Sequence, residues 1–250
     1  MRARVALMVS WFVLACSLAG AQTTKHVFVT PAPGIFVTPI PNAPFSGTIS
    51  VERTALQADG GVAQFWSVRR IARDSQGRIY NEFRPLVPSS DTAIPPITMI
   101  HLYDPQNRET EYLYPQQRVY RATILNRPPR SDTTQGFASP SAQGAPPSEF
   151  TQREDLGYKT LAGVEVHGVR VTQTVPAEES GTGKEVVVTD EYWYAASLRL
   201  NLEIVHSDPR SGSVTLTVTD LDQNEPDPGL FAVPADYRMA VPGQAAKSNQ

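Results

Sequence analysis

Residues 185–221 limit the fold more than any other stretch, because three strand-like segments follow one another there without interruption. Within 198–204, Leu198, Leu200, Leu202 and Ile204 hold every even position, and Arg199, Asn201 and Glu203 every odd one. A period of two places one face on a core and the other in water, as a half-buried antiparallel strand requires. The loop Ser207-Asp208-Pro209-Arg210-Ser211-Gly212 is made of turn formers, and beyond it Val214, Leu216 and Val218 alternate with Thr215, Thr217 and Thr219. Strand, turn, strand is the reading. Ahead of both, Val186, Val187, Val188, Tyr192, Trp193 and Tyr194 supply the β-branched and aromatic bulk of a third strand.

The same spacing runs through the chain. Residues 45–53 alternate, with Phe45, Ile49 and Val51 on one side and Ser46, Thr48, Ser50 and Glu52 on the other. Turn signals at Asp59-Gly60-Gly61 and Asp74-Ser75-Gln76-Gly77 divide this run from strands at 64–73 and 78–84. A further meander is expected over 97–103, 109–114 and 119–125, and two more strands over 156–161 and 163–175. In the last of these the apolar parity changes between Val166 and Val169, which points to a β-bulge or sharp bend at Gly168. No strongly amphipathic helix is found, and residues 225–231 form at most one helical turn, with Leu230 and Phe231 plugging one end of the core. The fold class is mainly β: a single strongly curved antiparallel sheet, a half-barrel or open barrel with little helix.

Both termini carry their own signals. Arg2 and Arg4, the apolar run at 5–18 and the small residues Ala19-Gly20-Ala21 have the form of a secretory signal, so residues 1–21 are read as a signal peptide. An exported, periplasmic or extracellular chain follows, with no transmembrane segment once the signal is removed. Val13-Leu14-Ala15-Cys16 opens an alternative, a lipoprotein anchored through Cys16. That cysteine is the only one, so the mature chain holds no disulfide, thiol nucleophile or thiolate metal site. Residues 22–44 are a Pro-rich N-terminal arm, either lying over the domain or serving as a tether. A single β domain spans 45–240, interrupted by a flexible insertion at 127–149 rich in Pro, Ser, Gly and Gln, and a disordered tail covers 241–250.

Chemistry is sparse. A net charge of −3 gives no bulk reason to expect nucleic acid as a partner. His26, His101, His167 and His206 show no helical metal spacing, and Gly-x-Ser-x-Gly is absent, so no catalytic residue, metal or cofactor is expected. Asp220-Leu221-Asp222-Gln223-Asn224 opens like a calcium loop, but Glu225 stands where that loop needs Gly and Phe231 where it needs a bidentate carboxylate. Arg69, Arg70, Arg73, Arg78 and Arg84 crowd one hairpin, either as an anion-binding surface or as a solvated face with cross-strand ion pairs. Trp66, Tyr112, Tyr114, Tyr192, Trp193 and Tyr194 are the candidate ligand-binding residues, numerous enough to line a groove for a lipid or sugar, or else to pack between strands.

Several of these segments together resemble a group of uncharacterised exported bacterial proteins. The likeness is carried by Ala43-Pro44-Phe45-Ser46, by Arg73-Asp74-Ser75-Gln76-Gly77-Arg78, by Leu156-Gly157, Gly163-Val164 and Gly168-Val169-Arg170, and by Glu191-Tyr192-Trp193-Tyr194. Asp208 to Gly212 and Glu225 to Tyr237, with its Glu-Pro-Asp-Pro-x-Leu-Phe-x-Val-Pro run, complete the set. Strand order and the Leu-Phe-x-Val-Pro segment are similar to lipoprotein-localisation-factor-like folds, which implies a curved sheet sheltering an apolar cavity. Residue reading and resemblance lead to a non-enzymatic envelope protein that binds an apolar or amphiphilic ligand, a lipid or lipoprotein. The alternative is a structural or protein-interaction module of the envelope, with a closed core and another envelope protein as partner.

Overall fold

The computed structural model describes residues 32–125 and 150–240. The signal peptide at 1–21, the first part of the arm, the insertion at 127–149 and the tail at 241–250 lie outside the described residues.

Turn-punctuated alternation produces two antiparallel meanders. The first comprises β1 (Phe45–Leu56), β2 (Val62–Arg73), β3 (Ile79–Phe83), β5 (Met99–Asp104), β6 (Glu109–Tyr114) and β7 (Val119–Ile124), with the short β4 (Val87–Pro88) beside β2. The second comprises β8 (Thr151–Leu161), β9 (Val164–Val175), β10 (Val186–Ala195), β11 (Leu200–Asp208) and β12 (Gly212–Asp222). Pairing of β1 with β12, Ile49 facing Val218 and Val51 facing Leu216, fuses them into one curved, non-closed sheet of thirteen strands. The short β13 (Arg238–Met239) adds to β7 in parallel at one edge, and β8 forms the other. Helical structure among the described residues is limited to a 3₁₀ turn at Pro228–Phe231, started by Pro228 and capped by the Asp227 carboxylate.

The sheet carries two cores, on opposite faces. Ile49, Ile71, Leu202, Ile204, Leu216 and Val218 form the first, and Ile35 of the arm packs into it. Ala72, Tyr80, Leu102 and Leu113 form the second, closed by Phe231 with Leu230, Val233 and Tyr237. Neighbouring residues of a strand point to opposite faces. Ile71, Ala72 and Arg73 are nonetheless all 0% exposed, so β2 is covered on both sides where the cores overlap.

Both covering segments meet at the turn after β2. Arg73 donates from Nε to the carbonyl of Ala43, from Nη1 to Thr38 and from Nη2 to Leu198, each at 2.8 Å. Asn42 N–H bonds the Ser75 carbonyl at 2.9 Å, while the Ser75 N–H and hydroxyl donate to the Glu225 carboxylate at 3.1 Å. Gly77, at φ +85, lies so near Ile40 that an added Cβ would sit 3.1 Å from its carbonyl carbon. Arg78 pairs with Asp74 and stands 5.1 Å over the Phe231 ring. The Arg73-to-Arg78 motif is thus the clasp that holds the N-terminal and C-terminal segments to the sheet.

The slip expected at Gly168 lies on the strand that faces it, where Gly157 pairs with Gly168. Strand β9 keeps one register with β10 throughout, and the irregularity falls on β8, between Asp155 and Gly157. Gly168 is also where the Trp193 ring crosses the neighbouring strand, and a Cβ there would lie 2.5 Å from the indole.

Candidate functional site

The six candidate aromatics do not share one wall. Trp66, opposite Glu52 on β1, donates its indole N–H to the Asp91 carbonyl at 2.8 Å. Tyr112 and Tyr114 project from β6 on the other face; Tyr112 stacks on His101 with centroids 4.9 Å apart, and Arg121 stands 6.0 Å from the Tyr114 ring. His101 is held below the usual histidine range by burial, and its Nε2 is 2.8 Å from the Thr110 hydroxyl. Tyr192 faces Ile204 and packs on the first core, where burial and then the Asp190 charge raise its phenol. Trp193 packs against the first core as well, with the Lys159 ammonium 3.7 Å from its ring centroid and paired with Glu203 at 2.7 Å. Tyr194 lies near Arg73 and Arg199, whose charges partly offset the upward push of burial on its phenol.

The arginine hairpin divides in the same way. Arg73 and Arg78 belong to the clasp. Arg84 is neutralised by Glu82 at 2.8 Å and donates to the Pro95 carbonyl at 2.6 Å. Arg69 is different. It shares the parity of Ser67 and Ile71 on β2, faces Ile49 across the strand pair, and therefore sits on the face of the first core. Its one hydrogen bond runs from Nη2 to the Ile35 carbonyl at 3.4 Å, Nε is buried without a partner, and no carboxylate among the described residues pairs with it. Burial lowers its pKa, the mark of a guanidinium kept from water without a compensating anion.

Beside Arg69 lies a groove of about 190 Å³, walled by Val51, Phe83, Leu86 and Leu216 with Ser67 and Arg84 at its polar side. The Ser67 hydroxyl reaches the Arg84 carbonyl at 3.5 Å. An apolar wall beside one uncompensated cation is the chemistry of an amphiphile site: alkyl carbon on one side, an acidic head on the other. The groove is smaller than the 300–1,000 Å³ range that encloses drug-sized ligands, so it seats a headgroup and a few carbons with the remainder outside. The reading based on aromatics missed Arg69, yet the sequence carried a signal. An arginine stands at an odd position of 67–71, the parity of the buried Ile71.

The remaining polar groups read as structure. Asp222 accepts from the Asn224 backbone and amide, closing the loop once compared with a calcium site. His206 pairs with Asp190 at 2.7 Å and His167 with Asp155 at 2.8 Å. Among the described residues no three His, Asp or Glu side chains gather as a metal set, and no helix is long and apolar enough to cross a membrane.

No protein-family model matches the chain, and no curated protein matches it. Solved structures do resemble it loosely. A chain of the Pseudomonas aeruginosa MucA/MucB complex aligns at 13% identity and a TM-score of 0.40, over 78% of this chain and 57% of that one. A LolA superfamily protein from Nitrosomonas europaea aligns at 12% and 0.27, over 78% and 92%. The lipoprotein LppX of Mycobacterium tuberculosis aligns at 15% and 0.26, over 72% and 88%. This chain spans little more than half of the MucA/MucB-complex chain it matches. Likeness of this order carries no argument about function, which rests on the residues themselves.

Proposed function

We propose that this chain is a non-enzymatic, exported envelope protein that holds an amphiphile with an anionic head, a lipid or a lipid-bearing polypeptide, against the first core at Arg69. The supporting observation is the Arg69 guanidinium, desolvated at an apolar groove without a carboxylate partner. A carboxylate or phosphate placed there supplies the missing acceptor, and Val51, Phe83, Leu86 and Leu216 take the first carbons of the chain.

Displacement of a fluorescent fatty acid from the full mature protein tests this. Oleate should compete and a neutral maltoside detergent should not. Arg69→Met should weaken oleate roughly tenfold or more, since a charge-assisted hydrogen bond is worth about 1.5–3 kcal/mol. Equal competition by both amphiphiles, or unchanged oleate affinity in Arg69→Met, overturns the assignment.

A second reading, the protein-interaction module with a closed core, is favoured by the filling of both cores with the chain's own side chains, Ile35 and Phe231 included. Native mass spectrometry of protein purified from envelope extract separates the two. An acidic lipid adduct that disappears in Arg69→Met belongs to the first reading, a chain without adducts to the second.

A further inference from the structure

Between the arm and the β10–β11 turn lies an open pocket of about 540 Å³, lined by arm residues 40–43 and by Ala196, Ser197 and Arg199. Its charge balance is one-sided. Arg199 is the one charged residue of the lining, it is exposed, and no carboxylate among the described residues pairs with it. Asn42 and Ser197, both exposed, add a side-chain amide and a hydroxyl.

A second guanidinium stands behind this lining. Arg73 is fully buried and spends its donors on neutral backbone carbonyls, two of them on the arm and one on Leu198 at the turn. Burial first, and then the charge of Arg199, bring its pKa down to about 10. Two cations near enough to disfavour one another, with the Tyr194 phenol beside both and no carboxylate among the described residues paired with either, form a locally positive site on a chain that is negative as a whole. Repulsion of this kind is relieved by an anion in the pocket. The volume falls within the range of small-ligand sites and exceeds what a bare inorganic ion fills.

We propose that this pocket is a second binding site, separate from the Arg69 groove, which takes a phosphorylated ligand with its phosphate on Arg199, Asn42 and Ser197. A phosphate monoester and a phosphate-bearing lipid head present the same chemistry to these groups.

The test uses the full mature protein at constant ionic strength. Inorganic phosphate and pyrophosphate should raise the melting temperature where chloride does not, and should broaden in ³¹P spectra as protein is added. Arg199→Gln should weaken pyrophosphate at least tenfold, Ser197→Ala a few-fold, and Arg69→Met not at all, which keeps this site distinguishable from the amphiphile groove. Co-sedimentation with phosphatidic acid vesicles, but not phosphatidylcholine vesicles, that is lost in Arg199→Gln identifies a lipid head as the source. Binding of soluble pyrophosphate without vesicle capture identifies a free phosphate compound. Phosphate acting no differently from chloride, retention of affinity in Arg199→Gln, or loss in Arg69→Met instead overturns the proposal.

Discussion

The two cores use opposite faces of one sheet, and each is closed by a different end of the described chain. The first is broad, built on β1, β2, β11 and β12, and roofed by the arm through Ile35 with Val37 beside it. The second is small, built on β2, β3, β5 and β6, and closed by the segment after β12 through Phe231. The means of closure also differ. The arm, poor in backbone donors because of its prolines, is held by its carbonyls on Arg73 and Arg69. The C-terminal segment is held by burial of Phe231 with Leu230, Val233 and Tyr237, by Glu225 on Ser75 and by the short β13–β7 ladder. A proline-rich segment cannot extend a ladder, but its carbonyls remain full acceptors, and a buried arginine answers several of them at once.

The largest effect should come from that arginine. Arg73→Met removes three charge-assisted bonds and leaves the carbonyls of Thr38, Ala43 and Leu198 short of a donor. A loss of about 4 kcal/mol is expected in urea denaturation, with faster hydrogen exchange at Asn42 as the arm lifts. A loss below about 1 kcal/mol would show that the arm is held by Ile35 burial instead. Next comes the other closure: Phe231→Ala should cost about 3 kcal/mol. Its exchange signature decides whether the cores are separate units. Acceleration confined to β3, β5 and β6 keeps them distinct, whereas equal loosening of β9 to β12 merges them.

The alternation that defines each strand was legible residue by residue, and so was the curved antiparallel sheet built from it. What alternation does not encode is which face each half of the sheet buries. Parity is a local property, and the change of buried face at Ile71-Ala72-Arg73 depends on segments 30 and 150 residues away in sequence. For the same reason the aromatics were visible as strand residues but not as two populations. Tyr192 and Trp193 both pack against the first core, the second by crossing Gly168, whereas Tyr112 stacks on His101 and Trp66 bonds the Asp91 carbonyl. Arg69 was counted among five arginines; only its parity set it apart, and that acquires meaning once the buried face of β2 is known. The arm was legible as proline-rich, yet nothing local in it indicates that Arg73 receives its carbonyls.

Gly168→Ala tests the second meander. The new methyl would meet the Trp193 ring at 2.5 Å, so the indole must move off the strand and release Lys159. Overpacking of this type costs about 2 kcal/mol. A red shift in tryptophan emission should accompany it, while the Phe231 region stays protected. An unshifted spectrum would show that the ring tolerates the methyl by a small tilt of β9.

The smallest effect belongs to the end of the sheet outside both cores, where Val175, Val186 and Val188 make a minor cluster. There Asp208 takes the Arg210 guanidinium at 2.7 Å and its backbone N–H at 2.9 Å, and Arg210 reaches on to the Ser180 carbonyl. The Arg210 side-chain bond, with the backbone bond and the charges of Arg210 and His206 behind it, holds the Asp208 carboxyl below its ordinary value despite burial. A carboxyl depressed on folding adds stability that is complete above its unfolded pKa near 4 and fades as pH falls through the folded value. Asp208→Asn should therefore flatten the acid limb of the stability curve below about pH 4, at a cost of about 1 kcal/mol at neutral pH. Phe231→Ala should lower the whole curve without changing that slope. If both variants shifted the acid limb alike, the polar end and the second core would be one electrostatic unit, and the separation of the sheet into differently closed regions would fail.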